Sequence, residues 1–304
     1  PPTYYNTATN KVSRINFFNP NANDGIAVVK TDSVLWSNYV ADGNNMETHY
    51  WGQQIGTNHN STKVYSGGII SGSTMGFVDS VHHVRYVYDI IASSSLNGWD
   101  REAQITGSQN HAETVSGQYG SMSRDENSFA FNDDYAVMGM PSYKANRTNE
   151  PSTGWHMGAI HIYKKTGATW ADHELIHTLN GSSSLDAAGL NPNDTHTPYS
   201  LFGNAVAINS DNDIAVTAPN YKVDGTILEG GAVLILTKSA NAEEWGHKLS
   251  HLGIVDAKIH SYNDTPDHTT FRIQHFSNNY MFVTAPSGSS NYYQGVDLFN
   301  KSEA

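Results

Sequence analysis

The segment 201–252 contains four short runs rich in apolar and β-branched residues, each separated from the next by turn-forming residues. The runs are NAVAI, IAVTAP, GGAVLILTK and KLSHL, and the first break is the turn Asp211-Asn212-Asp213. Runs of this length with breaks of this chemistry predict four β-strands joined by turns and loops. A four-stranded sheet of this size cannot bury both of its faces alone, so the fold must contain copies of it.

The same elements recur along the chain. A strand that follows an Asn/Asp turn and ends in proline occurs as YAVMGMP, IAVTAP and YMFVTAP, which end at Pro141, Pro219 and Pro286. Weaker copies end at Ser37 and Ser80. Five units of roughly 60 residues predict an all-β fold, in which residues 1–304 form a single β-propeller domain of five four-stranded blades; four or six blades are the alternatives.

The last unit ends after its third strand, and this predicts how the ring closes. The segment KVSRINFF, residues 11–18, is expected to pair beside residues 295–300 and to supply the fourth strand of the last blade. Closure of this kind removes the open sheet edges from the ring.

Several residues of the repeat carry a family resemblance. Phe202-Gly203, AVAIN, IAVTAP, GGAVLIL and Trp245 together resemble the FG-GAP repeat of the propellers of integrin alpha subunits and related proteins. The resemblance covers about residues 119–301 and implies a binding scaffold more than an enzyme. The calcium loop of that family has no clean counterpart in this sequence, so the resemblance carries over no calcium ligand.

Composition excludes several classes of function. Charged residues make up 15% of the chain and the net charge is −12, whereas binding to a phosphate backbone depends on clustered Lys and Arg. We therefore expect no nucleic-acid partner. The chain contains no cysteine, which excludes disulfides and thiolate chemistry. No apolar run reaches the roughly 18 residues of a membrane span, so none is expected.

The long loops between the second and third strands are predicted to gather on one face of the propeller, where binding residues usually lie. They combine aromatic rings with Asn, Asp and Ser, which suits a sugar, because a pyranose stacks on a ring and its hydroxyls bond to amides and carboxylates. The predicted ligand-binding residues are Tyr39, Tyr143, Trp155, Tyr221, Asp224, Tyr292 and Tyr293. The alternative is that the repeated tyrosines pack against the neighbouring blade.

The loops between successive units contain a second repeat, NPNANDG, NPNDTH and NDTPDH. Its Asp24, Asp194 and Asp264 are candidate ligands for calcium, the one cofactor that the sequence suggests. Asx turns explain the same residues and are favoured, because the alternating spacing of a calcium loop is missing. Histidines four residues apart, such as His173 and His177, lie on predicted strands, where that spacing of roughly 13 Å is too wide for one metal ion.

The sequence favours recognition over catalysis. The predicted innermost strands contain no Asp or Glu, whereas a five-bladed glycoside hydrolase places carboxylates at the propeller axis. We expect a non-enzymatic, lectin-like propeller, located outside the cell or on a cell or virion surface, that binds a glycan or glycoprotein of a cell or matrix. One alternative is a structural or host-attachment subunit of a virion, fibre or appendage with protein partners, and the other is the hydrolase.

Overall fold

The computed structural model describes the backbone of residues 3–5, 11–19, 27–35, 47–58, 63–74, 77–90, 99–106, 129–141, 158–181, 184, 202–218, 232–252, 272–285 and 295–300. It describes the side chains of 56–58, 63–65, 102, 103, 105, 129–141, 158–181, 184, 202–218, 232–248, 273, 276–281 and 283. Every element that can be bounded in these residues is a β-strand, so the prediction of an all-β fold is confirmed there.

Seven strands precede residue 124. They are β1 (Thr3–Tyr5), β2 (Lys11–Asn19), β3 (Ala27–Leu35), β4 (Glu47–Thr57), β5 (Lys63–Thr74), β6 (Phe77–Ile90) and β7 (Trp99–Thr106).

Eleven strands follow. They are β8 (Phe129–Phe131), β9 (Tyr135–Met140), β10 (Ala159–Lys165), β11 (His173–Asn180), β12 (Val206–Ile208), β13 (Ile214–Ala218), β14 (Ala232–Lys238), β15 (Trp245–Leu252), β16 (Arg272–Phe276), β17 (Tyr280–Ala285) and β18 (Gly295–Asn300).

These strands form five separate sheets in chain order. Sheet 1 contains β1–β3, sheet 2 β4–β7, sheet 3 β8–β11, sheet 4 β12–β15 and sheet 5 β16–β18. Each strand pairs antiparallel with its neighbour in sequence, so every sheet is a meander. The number of sheets equals the number of units predicted from the repeat.

The chain divides into two compact units. Unit 1 comprises Pro1–Arg124 with Thr166–Asp172 and contains sheets 1 and 2. Unit 2 comprises Asp125–Lys165 with His173–Ala304 and contains sheets 3, 4 and 5. The organisation of residues 1–304 as a single propeller domain stays a prediction.

The predicted closing strand is wrong. β2, which contains residues 11–18, pairs with β1 along one edge, from Tyr5 opposite Lys11 to Thr3 opposite Ser13. It pairs with β3 along the other edge, from Val12 opposite Leu35 onward. A strand has two edges, and both edges of β2 are used inside sheet 1, so it cannot also complete sheet 5.

The two weaker repeat copies were also wrongly divided. Residues 31–35 of the copy predicted to end at Ser37 belong to β3, which runs without a break from Ala27 to Leu35. Ser80, the predicted end of the second copy, lies inside β6 and pairs with Gly72. Polar residues within these strands were read as breaks, whereas ladder hydrogen bonds come from the backbone and tolerate polar side chains.

The strands predicted for unit 2 are confirmed within one or two residues at most ends. The proline-ending strands YAVMGMP, IAVTAP and YMFVTAP are β9, β13 and β17. The glycine-led strands that follow them are β10, β14 and β18. β9 and β13 are buried at every position, and most positions of β10 and β14 are buried as well.

The core of unit 2 lies between successive sheets. One cluster joins sheet 3 to sheet 4 and includes Val137, Ile160, Ile162, Leu234 and Leu236, all buried. A second joins sheet 4 to sheet 5 through residues such as Val233 and Met281. Each such side chain contributes about 1.5–3 kcal/mol of transfer free energy, so stacked sheets stabilise one another in a way that one sheet cannot.

The Phe202-Gly203 pair makes a close backbone contact between sheets 3 and 4. Phe202 is fully buried and forms a parallel bridge with Gly158. Gly203 has a φ of +90°, and a Cβ placed on it would lie 2.3 Å from the backbone oxygen of Ala159. Only glycine fits such a conformation at such a distance. The FG dipeptide of the repeat is therefore a packing element between sheets.

A β-bulge recurs in the outer strand of every four-stranded sheet. The fourth residue of the strand has no partner in the ladder, while the residues on either side keep theirs. The bulged residues are Glu102 in β7, Ile176 in β11 and Lys248 in β15. Bulges bend and twist an edge strand, which hinders edge-to-edge pairing with other chains.

Candidate functional site

In each sheet of unit 2, the turn between the first and second strands is closed by one polar side chain that follows the first strand. Its oxygen accepts hydrogen bonds from two backbone N–H groups of the turn, at 2.9 to 3.3 Å. These residues, called the turn row below, are Asn132 in sheet 3, Asn209 in sheet 4 and Ser277 in sheet 5. Such Asx and Ser turns satisfy backbone donors that the ladder leaves unpaired.

The turn row also connects neighbouring sheets. Asn132 Nδ2 donates to the backbone oxygen of Asn209 at 2.9 Å, and Asn209 Nδ2 donates to the backbone oxygen of Ser277 at 3.5 Å. Asn278 Nδ2 donates to Asp211 Oδ1 at 2.8 Å. The first turns of sheets 3, 4 and 5 therefore lie side by side at one end of unit 2, called the turn end.

The second connections of these sheets start at the opposite end. In an antiparallel meander, the loop after the second strand lies at the far end from the turn after the first. The last pairs before these connections are Met140–Ala159, Ala218–Ala232 and Ala285–Gly295. Connections 142–157, 219–231 and 286–294 thus leave from the same end of unit 2, called the connection end.

Six of the seven predicted ligand residues belong to these three connections, outside the described residues. Tyr143 and Trp155 are in the first, Tyr221 and Asp224 in the second, and Tyr292 and Tyr293 in the third. The structure gives the positions of the strand ends from which all three connections leave. The contacts of these six residues with a ligand stay a prediction.

Tyr39 was predicted to occupy a place equivalent to Tyr143, and this prediction is wrong. It lies outside the described residues, between β3 and β4. These two strands belong to different sheets, so the connection that contains Tyr39 joins sheet 1 to sheet 2. A connection of that kind is not the loop between a second and a third strand.

The aspartates predicted as calcium ligands do not share one kind of connection. Asp194 and Asp264 lie between sheets, after β11 and β15, as predicted. Asp24 lies between β2 and β3 of the same sheet, so its predicted equivalence is wrong. All three are outside the described residues. Among the described side chains, no three His, Asp or Glu residues come together to hold a metal ion.

The histidine pairs lie on outer strands, as predicted, and the bulges separate them further. Lys165 opposes His173, whereas Ile162 opposes His177. The bulge at Ile176 lies between the two histidines and changes the alternation of the strand, so they project from opposite faces of sheet 3. The pair in β11 therefore cannot bind one metal ion.

The backbone at the connection end is fixed by Thr217. Its side chain is fully buried, and its Oγ1 accepts the N–H of Ala205 at 2.9 Å. Its backbone oxygen accepts the N–H of Gly203 at 3.0 Å. These bonds attach the entry of β12 to β13, next to the point from which connection 219–231 leaves.

A cluster of polar groups joins sheet 3 to sheet 4 near the turn end. Glu243 accepts a hydrogen bond from the Tyr135 hydroxyl at 2.6 Å and another from Lys164 Nζ at 2.9 Å. The Nε2 of His177 donates to the Glu243 backbone oxygen. The bond from Tyr135, followed by that from Lys164, lowers the pKa of the Glu243 carboxyl below its usual value. We call this group the Glu243 cluster.

Trp245 packs within the Glu243 cluster. Its ring lies edge-on to Tyr135 with centroids 5.1 Å apart, and its indole N–H donates to the Asn212 oxygen at 2.8 Å. Lys238 Nζ lies 5.9 Å from the Trp245 ring. The tryptophan that begins β15 therefore closes the apolar core at the turn end.

The opposite face of sheet 3 carries a buried histidine. His161 is 1% exposed, and its Nδ1 lies 3.4 Å from the Tyr163 hydroxyl. Burial lowers the pKa of its imidazole to about 4. Burial also raises the pKa of the Tyr163 hydroxyl, so both groups are neutral at pH 7.

Comparisons with known proteins add no assignment. No protein-family model matches the chain, and no curated protein matches it. In the described part of the chain, no helix has the length and apolar character needed to cross a membrane.

Sequence reasoning did not identify the turn row or the Glu243 cluster. The turn row leaves a trace in the sequence, because Asn132 and Asn209 each end an apolar run just before an acidic turn. In unit 1, Asn58 closes the first hairpin of sheet 2 in the same way, accepting the Lys63 N–H at 2.8 Å. The Glu243 cluster leaves no such trace, since its members are distant in sequence.

Proposed function

We propose that this chain is a β-propeller of the FG-GAP type that recognises carbohydrate, with the connection end of unit 2 as its binding surface. The observation that carries the proposal is the turn row. It brings the first turns of three sheets together, and connections 142–157, 219–231 and 286–294 must then leave from the other end. Binding residues commonly lie on loops that a rigid scaffold holds together.

The composition of these connections supports a sugar as the ligand. They contain Tyr143, Trp155, Tyr221, Tyr292 and Tyr293 among Asn, Ser and Asp residues. Aromatic rings stack on the apolar face of a pyranose, while amides and carboxylates bond to its hydroxyl groups. The acidic net charge of −12 favours a neutral or cationic glycan over a sulfated one. The proposed ligand is a glycan or glycoprotein outside the cell.

The propeller architecture is supported by the series of meanders. Sheets 3, 4 and 5 follow one another along the chain, with apolar clusters between sheets 3 and 4 and between sheets 4 and 5. Buried sheet faces of this kind suit radial packing of blades.

The function can be tested by screening the purified chain on a glycan array that detects affinities down to the millimolar range. We expect binding to at least one glycan class, with loss of about tenfold or more in affinity for Tyr143→Ala, Tyr221→Ala or Tyr292→Ala, since one stacked ring contributes on the order of 1.5 kcal/mol. Tyr280→Ala is the matched control, because Tyr280 is 47% exposed at the turn end. Absence of any bound glycan contradicts the proposal, as does an equal loss in the control.

A second candidate is a subunit of a surface assembly that binds protein partners. The low charged fraction of 15% favours it, because weakly charged polar surfaces suit closely packed subunits. Light scattering after size-exclusion chromatography separates the two candidates. A monomer that binds a glycan supports recognition, and a stable oligomer without glycan binding supports assembly.

A further inference from the structure

We draw no further inference here: the strongest candidate, the outer edge of β18 in sheet 5, pairs with no other strand in the part of the chain that the structure describes, and nothing in the structure shows what covers it.

Discussion

At the scale of single residues, close backbone packing between neighbouring sheets explains why glycine occupies certain positions of the repeat. Gly203 and Gly158 both have positive φ, at +90° and +77°, and both approach backbone atoms of the neighbouring sheet. The sequence identified the Phe202-Gly203 dipeptide as a repeat signature because glycine is required there. It did not reveal why, since the contact joins residues about 45 positions apart in sequence, across two sheets.

A pair of glycine substitutions tests this packing. We expect Gly203→Ala to lower the free energy of unfolding by at least about 2 kcal/mol, because the new Cβ meets the Ala159 oxygen and the φ is unfavourable. Gly246→Ala is the control, since nothing lies within 4 Å of its Cβ position and its φ is ordinary. Urea denaturation should show a change within about 0.5 kcal/mol for the control. Similar losses in both variants would show that the close approach is not what matters.

The turn row is a second feature at this scale. Asn209 is buried and accepts the N–H groups of Asp211 and Asp213. We expect Asn209→Ala to cost about 1–3 kcal/mol, because two backbone donors lose their acceptor. Asn209→Ser should cost less, since Ser277 performs the same role in sheet 5. Equal destabilisation by alanine and serine in thermal denaturation contradicts this role.

At the scale of strands and sheets, local sequence predicted unit 2 well and unit 1 poorly. In sheets 3 to 5, apolar runs of three to seven residues end at Asn, Asp, Pro or Gly, and these four residue types mark the ends of the strands correctly. In sheets 1 and 2, strands such as β5 and β6 have 12 and 14 residues and contain polar positions that resemble breaks. The closing strand was mispredicted because local pattern identifies a strand but not its partner.

The Glu243 cluster gives a prediction at the scale of sheet contacts. Tyr135→Phe removes the hydroxyl that donates to Glu243, so the pKa of that carboxyl should rise toward its usual value. The lowered pKa means that Glu243 contributes stability above about pH 4.5 and loses it as pH falls through the folded value.

The expected loss for Tyr135→Phe at pH 7 is about 1 kcal/mol or less, because the carboxylate is partly exposed and screened. The loss should shrink as pH falls through the folded pKa of Glu243, because the wild-type carboxyl then becomes protonated as well. Tyr280→Phe, at an exposed position, should be neutral at both pH values in urea denaturation. If the loss of stability is unchanged at low pH, Tyr135 acts through packing and not through its hydrogen bond to Glu243.

At the scale of the whole molecule, function depends on where the connections leave the sheets. The sequence predicted aromatic loops on one face. The ends of β9, β13 and β17, from which three of these connections leave, lie at one end of unit 2, and the position of the aromatic residues stays a prediction. Sequence reasoning misplaced Tyr39 and Asp24, because both belong to unit 1, where the strands were wrongly divided. The ligand itself does not follow from these patterns, since Tyr, Asn and Ser suit several kinds of partner.

The most direct test of recognition at the connection end is a hydrogen-exchange footprint with a glycan found on the array. We predict that saturating glycan protects backbone amides in 142–157, 219–231 or 286–294 and leaves the turns that follow Asn132, Asn209 and Ser277 unchanged. Protection confined to those turns, at the opposite end of the same sheets, would contradict the account.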